Sequence, residues 1–543
     1  MKEARGPGRG GPSRAFERPT AGSGVIIRRL WRYLERYKWM LVAALILGVG
    51  GNLLALLGPK LSGYAIDAIR PGAGRVEFDT VFFYAKWMLL CYLVSAVFSY
   101  LLAALLVRLS RNVVSQLRRD LYQHLMKLPI RFFDTRATGD VLSVLSYDVD
   151  TVSASLSNDL AQMVTSVVTV VGSFFMMLTI SPHLLLVFAV TIPASILFTR
   201  YRSARVRPLY RKRSEQLGAL NGFAEEMTDG LRTIKAYGRE EAFWQRFEEK
   251  NKAACDANCK ADAFASSTGP TVNFINNLSL ALVSVFGSLL YMAGGITLGN
   301  VSSFVLYSRK FSGPINEFAN IISELQSSLA AAERIFALLD EPTEAPDAPD
   351  AEELRDVVGA VEIQGVKFGY DPGHPVLRDL HLSAKPGQVV AIVGPTGAGK
   401  TTVINLLMRF YDPDFGSIRV DGKEIKTLTR ASLRRAYSMV LQDTWLFTGT
   451  VFENLSYGRE GVTLEQVQQA ARAAKIDRFI QSLPQGYDTV LQDGGANISK
   501  GQRQLLTIAR AMLLDAPMLI LDEATSNVDT RTERRIQAAM LRL

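Results

Sequence analysis

Cysteine is scarce, with three in 543 residues. Three thiols cannot build a disulfide framework, and Cys255 and Cys259, in a C-x3-C spacing with no second ligand pair, do not make a zinc site. With Cys91, they read as ordinary packed or exposed thiols. A secretory leader is also missing: residues 1–24 are rich in Gly, Arg and Pro, without an apolar h-region or a cleavage site, and read as a flexible cytoplasmic tail. Long apolar runs are absent too, but only after residue 325 or so. With 48% hydrophobic residues overall, near the upper end for a soluble chain, this asymmetry divides the sequence into a membrane half and a soluble α/β half.

A helix crosses a bilayer on roughly 20 mainly apolar residues, because its backbone polar groups must be satisfied internally there. Runs at 39–57, 81–107, 160–180, 184–198 and 271–292 meet that need. The third and fourth are parted only by Ser181, Pro182 and His183, a tight hairpin. A sixth run, 301–322, is interrupted by Arg309, Lys310 and Glu317. Two readings stand: the charges face a pathway or a protein neighbour, or the span ends early and they lie in the interface.

The net charge of +9 is concentrated at the N-terminus and between apolar runs, which points to topology rather than nucleic-acid binding. Arg28, Arg29, Arg32, Arg36 and Lys38 precede the first run. Arg108, Arg111, Arg118 and Arg119 follow the second, and Arg200, Arg202, Arg205, Arg207 and Arg211 follow the fourth. The connections after the third and fifth carry no Lys or Arg. The positive-inside rule therefore places both termini and the long connections 108–158 and 200–270 in the cytoplasm. Leu117, Leu121, Leu125 and Leu128 share one helical face in the first of these, so the membrane helices are expected to continue as cytoplasmic rods.

After an acidic, Pro-rich stretch at 340–350, residues 361–368 alternate as a strand does. Gln388-Val-Val-Ala-Ile-Val393 reads as a buried strand and leads into Gly394, Pro395, Thr396, Gly397, Ala398, Gly399, Lys400 and Thr401, the G-x-x-x-x-G-K-[ST] pattern, with helix-like sequence from Thr402 onward. Glycines let successive N–H groups turn toward phosphate oxygens, the helix N-terminus adds its dipole, Lys400 reaches the β- and γ-phosphates, and the Thr401 hydroxyl suits Mg²⁺. Met518-Leu-Ile-Leu-Asp-Glu523 is an apolar strand ending in two acids. Asp522 is expected to hold Mg²⁺, and Glu523 to act as general base on the attacking water.

These motifs, with Ile498-Ser-Lys-Gly-Gln-Arg-Gln-Leu-Leu506 matching the signature L-S-G-G-Q in Ser499, Gly501 and Gln502, resemble the ATP-binding cassette (ABC) superfamily, specifically bacterial multidrug and lipid half-transporters of the exporter type. The resemblance runs from about residue 25 to the end. It implies an all-α six-helix transmembrane domain at 25–325, a linker at 326–358, and an α/β P-loop NTPase with a RecA-like core and helical subdomain at 359–543. It further implies that Tyr370 stacks on adenine, that Gln442 contacts Mg²⁺ and the attacking water, and that 526–529 is the loop crossing to the other ATP site. Ser499, Gly501 and Gln502 would reach the ATP held by an opposite subunit, so a dimer is implied, with a heterodimer ahead of a homodimer. Residues 138–140 with 148–150, and 230–236, look like the two loops that dock on the ATPase domains.

Two departures stand out. Lys500 replaces the usual third signature residue. The family's switch histidine lies beyond the Glu, whereas His124, His183, His374 and His381 all precede Glu523, so the resemblance implies a copy truncated at its C-terminus. The expected function is ATP-driven export of drugs or lipids across the cytoplasmic membrane, with ATP and Mg²⁺ as cofactors and no nucleic-acid partner. The alternative is a cassette used as a gate.

Overall fold

A computed structural model describes residues 22–69, 76–371, 373–442, 444–492 and 494–522, with positions 534 and 538. Two compact units emerge: one comprises residues up to Leu125 plus Thr138–Glu341, the other Met126–Ala137 plus Pro342 onward.

The first unit is helical. In chain order the helices are α1 (Ser23–Glu35), α2 (Lys38–Asp67), α3 (Phe78–Leu125), α4 (Ile130–Thr135, which belongs to the second unit), α5 (Thr138–Ile180), α6 (Pro182–Asp229), α7 (Leu231–Ala236), α8 (Glu240–Ser266), α9 (Thr268–Met292) and α10 (Leu298–Leu339). Every apolar run falls inside one of them. Among the described residues, five stretches are long and apolar enough to cross a membrane, namely α2, α3, α5, α6 and the stretch Glu240–Met292. The sixth run lies in α10, a 42-residue helix whose charges dilute its apolarity. Ser181 is the N-cap of α6 and Pro182 opens its first turn, where a missing N–H costs nothing.

The rods are longer than the bilayer requires: α3 and α6 each reach 48 residues. Leu56, Met177, Leu184, Phe188, Val283, Phe304, Tyr307 and Phe311 form one buried apolar cluster. Inside a bilayer such helices gain little from hydrophobic exclusion, so close packing and interhelical hydrogen bonds do more of the joining. Ser95 Oγ donates to Gly51 O at 2.8 Å, linking α3 to α2. At the rod ends, Arg334 of α10 grips the buried Asp148 of α5 with two hydrogen bonds, 2.8 and 2.5 Å. Tyr33 of α1 donates to Asp120 at 2.9 Å, and burial together with that carboxylate pushes its phenol up to about 12. Asp148 closes the first of two π-helical segments in α5, Val144–Asp148 and Ser155–Asp159.

Two helices extend beyond the limits expected for them. The helix α10 runs on to Leu339, into the first part of the stretch 326–358 expected as linker; its Ala- and Leu-rich sequence there is strongly helix-forming. Ser23 and Gly24, drawn as tail, already belong to α1, and residues 1–21 lie outside those described. Of the expected docking loop, Asp148 and Asp150 hold ion pairs within the first unit, to Arg334 and Arg118. The segment that belongs to the ATPase unit is the preceding 126–137.

The second unit contains β1 (Val361–Phe368), β2 (Leu377–Ala384), β3 (Phe415–Val420), β4 (Lys423–Glu424), β5 (Tyr437–Val440), β6 (Gly449–Thr450), β7 (Val490–Leu491) and β8 (Met518–Leu521). Among the described residues, β2-β1-β3-β4 form an antiparallel sheet, β5 and β8 a parallel pair, and β6 and β7 an antiparallel pair. Helices α11 (Lys400–Leu407), α12 (Arg430–Arg435), α13 (Val451–Ser456), α14 (Leu464–Ala473), α15 (Asp477–Gln481) and α16 (Lys500–Leu514) complete it. One core lies under β1, β3 and α11, and another joins α13, α14 and α16. Residues 388–393 are not the buried strand expected: Val389 is 94% exposed and Val393 88%. A buried strand needs ladder partners, and the parallel ladder among the described residues joins β5 to β8 without reaching this segment.

Candidate nucleotide site

The phosphate-binding loop is set by backbone conformation. Gly397 and Gly399 adopt φ of +85° and +91°, the left-handed region that side chains disfavour. At Gly399 space forbids a side chain as well, since a Cβ there would stand 2.9 Å from Leu377 Cδ2. The Ala398 N–H donates to Pro395 O at 3.1 Å, and Lys400 Nζ donates to Gly394 O at 2.9 Å and Pro395 O at 3.3 Å. Residues 394–398 are exposed. The helix α11 begins at Lys400, and its first-turn N–H groups, Thr401 and Thr402 among them, have no intrahelical acceptor, a ready anion site in company with Lys400.

Parallel pairing explains how two distant residues share an edge. Tyr437 opposes Met518 and Val440 opposes Leu521, so both strands end together, and the Asp522 N–H donates to Val440 O at 2.9 Å. Gln442 and Asp522 thus leave the carboxyl edge of one ladder, where ligands of α/β sheets collect. Asp522 is buried and Gln442 exposed. Val403, Ile404 and Leu406 of α11 share a core cluster with Tyr437, Met518 and Ile520, which ties the loop helix to these strands. A hydroxyl at Thr401, an amide at Gln442 and a carboxylate at Asp522 are hard oxygen donors of the kind Mg²⁺ takes. Glu523 and residues 526–529 lie outside the described residues.

Tyr370 and Thr402, chosen separately from the sequence, meet: Tyr370 Oη donates to Thr402 Oγ1 at 3.2 Å and accepts from Asn405 Nδ2 at 3.1 Å. The Tyr370 ring stands edge-on to Phe368 and Tyr411, each with its centroid 5.1 Å away. Sequence reasoning missed Tyr411. Its hydroxyl donates to Asp134 of α4 at 2.6 Å, and Arg131 of the same helix donates to Tyr370 O at 3.3 Å. Burial, then Asp134, push the Tyr411 phenol upward. The only sequence signal was an aromatic pair, Phe410-Tyr411, shortly after the loop helix.

The signature residues have a local role the motif did not announce. Ser499 is the N-cap of α16: its Oγ accepts from the Gln502 N–H at 3.3 Å, and Gln502 Oε1 accepts from the Ser499 N–H at 2.8 Å. This is a reciprocal capping box. Gly501 is buried behind it, and Lys500 is exposed on the first turn.

A glycine-turned phosphate loop, a parallel ladder with oxygen donors at its carboxyl edge, and long apolar helices on one chain define a membrane-embedded P-loop ATPase. Residues 41–315 match the family described as ABC transporter transmembrane region, and residues 377–526 match that described as ABC transporter. The chain is 40% identical over 534 residues to the uncharacterized ABC transporter ATP-binding protein YfiC of Bacillus subtilis (strain 168), covering 98% of this chain and 87% of that one. It is 39% identical to the fatty acid ABC transporter ATP-binding/permease protein of Mycobacterium bovis (95% and 87% covered) and 34% identical to the ATP-dependent lipid A-core flippase of Vibrio cholerae (94% and 88% covered). A bacterial Atm1-family ABC exporter solved with ATP bound matches with a TM-score of 0.74 at 29% identity, covering 94% of this chain and 89% of that one. The chain belongs to the ABC transporter family. It is a multi-pass membrane protein of the exporter type, a nucleotide-binding ATPase whose hydrolysis is coupled to transport.

Proposed function

We propose that this chain is one half of a dimeric exporter that moves lipid-like amphiphiles across the cytoplasmic membrane, with its ATPase unit in the cytoplasm. The observation that carries the site reading is the shared carboxyl edge of β5 and β8 beside the phosphate loop. The membrane side is supported by relatives named for fatty acid and for lipid A core.

In this reading Tyr370 orders the base, and Gly394, Pro395, Thr396, Gly397, Ala398 and Gly399 wrap the phosphates. The N–H groups of Lys400, Thr401 and Thr402 add to that cradle, and the Lys400 ammonium takes the β- and γ-oxygens, exchanging loop carbonyls for stronger anionic acceptors. Mg²⁺, held by Thr401, Gln442 and Asp522, would supply charge neutralisation on the phosphates. Glu523 accepts the proton of the attacking water, and Gln442 orients that water. Ser499, Gly501 and Gln502 present the start of α16 to a nucleotide on the other subunit. Lys500, exposed there, adds a positive charge at that face.

Replacing Glu523 with Gln in the full-length protein is expected to keep ATP binding and to lower hydrolysis by about a hundredfold or more, the usual range for a lost general base. Undiminished hydrolysis would remove Glu523 from that role.

A further inference from the structure

The helix α10, which holds the sixth apolar run, carries two cations, Arg309 and Lys310, that form no ion pair among the described residues. Lys310 is the twelfth residue after Leu298, so at 1.5 Å per residue it stands roughly 18 Å along α10; with the span taken to open at Leu298, that is within a hydrocarbon core about 30 Å thick. Its ammonium is half-buried and donates to Ala55 O of α2 at 3.2 Å. That acceptor exists because of Pro59, which has no N–H to return to the carbonyl four residues back. Tyr307 Oη donates to Leu56 O at 2.5 Å and Ser303 Oγ to Pro59 O at 2.8 Å, so one stripe of α10 packs by hydrogen bonds along the Pro59 turn of α2.

A carbonyl suffices for one N–H but does not balance a charge, and an ammonium has three donors. Arg309, next in sequence, is exposed and has no ion pair among the described residues. Glu317, two turns further along α10, is engaged by Gln162 Nε2 at 3.0 Å. Ionisable groups at such depth are costly and mark substrate or ion pathways, and a cation kept there without a counter-charge suits an anion that arrives and leaves.

We infer that Lys310 is the recognition point for the anionic head of the transported amphiphile, its ammonium resting on the Ala55 carbonyl until a carboxylate or phosphate oxygen takes it. The inference rests on the export reading and adds the chemical class of the cargo.

The test uses the full-length transporter in proteoliposomes and three probes with comparable chains: oleate, oleoyl lysophosphatidate and uncharged oleyl alcohol. The readout is the half-maximal concentration for stimulating ATP hydrolysis, with ATP-dependent uptake beside it. Lys310→Gln is expected to raise that concentration about tenfold or more for the anions, the worth of one charge-assisted hydrogen bond, and to leave the alcohol unchanged. Lys310→Arg should restore the wild-type response. Oleate against lysophosphatidate shows whether the head is carboxylate or phosphate.

Pro59→Ala provides the control, because it returns a backbone N–H to Ala55 O. If Lys310 only caps that carbonyl, the double variant Pro59→Ala/Lys310→Gln will regain wild-type behaviour, and the inference falls. If Lys310 binds the anion, the double variant stays defective toward anions, and its mended helix also covers the case in which Lys310→Gln alone fails to fold. Equal loss toward the alcohol, or wild-type preference for it, also overturns the inference. A wild-type protein that moves none of the three probes would instead count against the export reading.

Discussion

At the residue scale, Ser499 shows how a family motif and ordinary helix chemistry coincide. The sequence pointed to a phosphate contact, and the structure shows an N-cap whose partner is the motif's own Gln502. The two roles separate by substitution. Ser499→Ala should cost about 1 kcal/mol through the lost cap, visible as a lower melting temperature. Ser499→Asp keeps a good cap but sets a carboxylate against phosphate, so it should melt near wild type and lose hydrolysis. Wild-type turnover in Ser499→Asp would leave Ser499 as a cap alone. The turn at Gly397 and Gly399 was legible because side chains disfavour such angles, and at Gly399 there is no room for a Cβ either. The Tyr370, Thr402, Tyr411 and Asp134 contacts were not, since they join residues up to 277 positions apart.

At the element scale, the membrane runs were readable because a bilayer imposes a length and an apolarity that few other structures share. The ends of the elements were less so. A helix continues where propensity lets it, which carried α10 into the expected linker as far as Leu339. A strand exists only with its partners, which denied 388–393 a place in the ladder despite its apolar sequence. The six-residue α4 has no periodicity long enough to announce that it belongs with the ATPase unit. The clamp between α5 and α10 makes an asymmetric prediction. The Asp148 side chain is 2% exposed and that of Arg334 42%. Arg334→Ala strands a buried carboxylate, whereas Asp148→Ala leaves a guanidinium that water reaches. The first should therefore be the more destabilising by roughly 1–3 kcal/mol, with the double variant close to Asp148→Ala. Thermal unfolding of purified protein measures this, and equal costs would refute the burial argument.

At the scale of the whole molecule, the chain joins an ATPase to helices that cross a membrane, and coupling the two is what distinguishes a pump from a gate. The helical unit twice supplies one residue's missing partner from far along the chain: Lys310 to the carbonyl freed by Pro59, Arg334 to Asp148. The central claim is that ATP hydrolysis drives amphiphiles uphill. The direct measurement is accumulation of a labelled amphiphile inside inverted vesicles bearing the full-length protein, with ATP, without it, and with Glu523→Gln. Accumulation above the outside concentration that requires ATP and is lost in Glu523→Gln is the predicted result. ATP-dependent equilibration without accumulation, or accumulation undiminished in Glu523→Gln, would contradict the account.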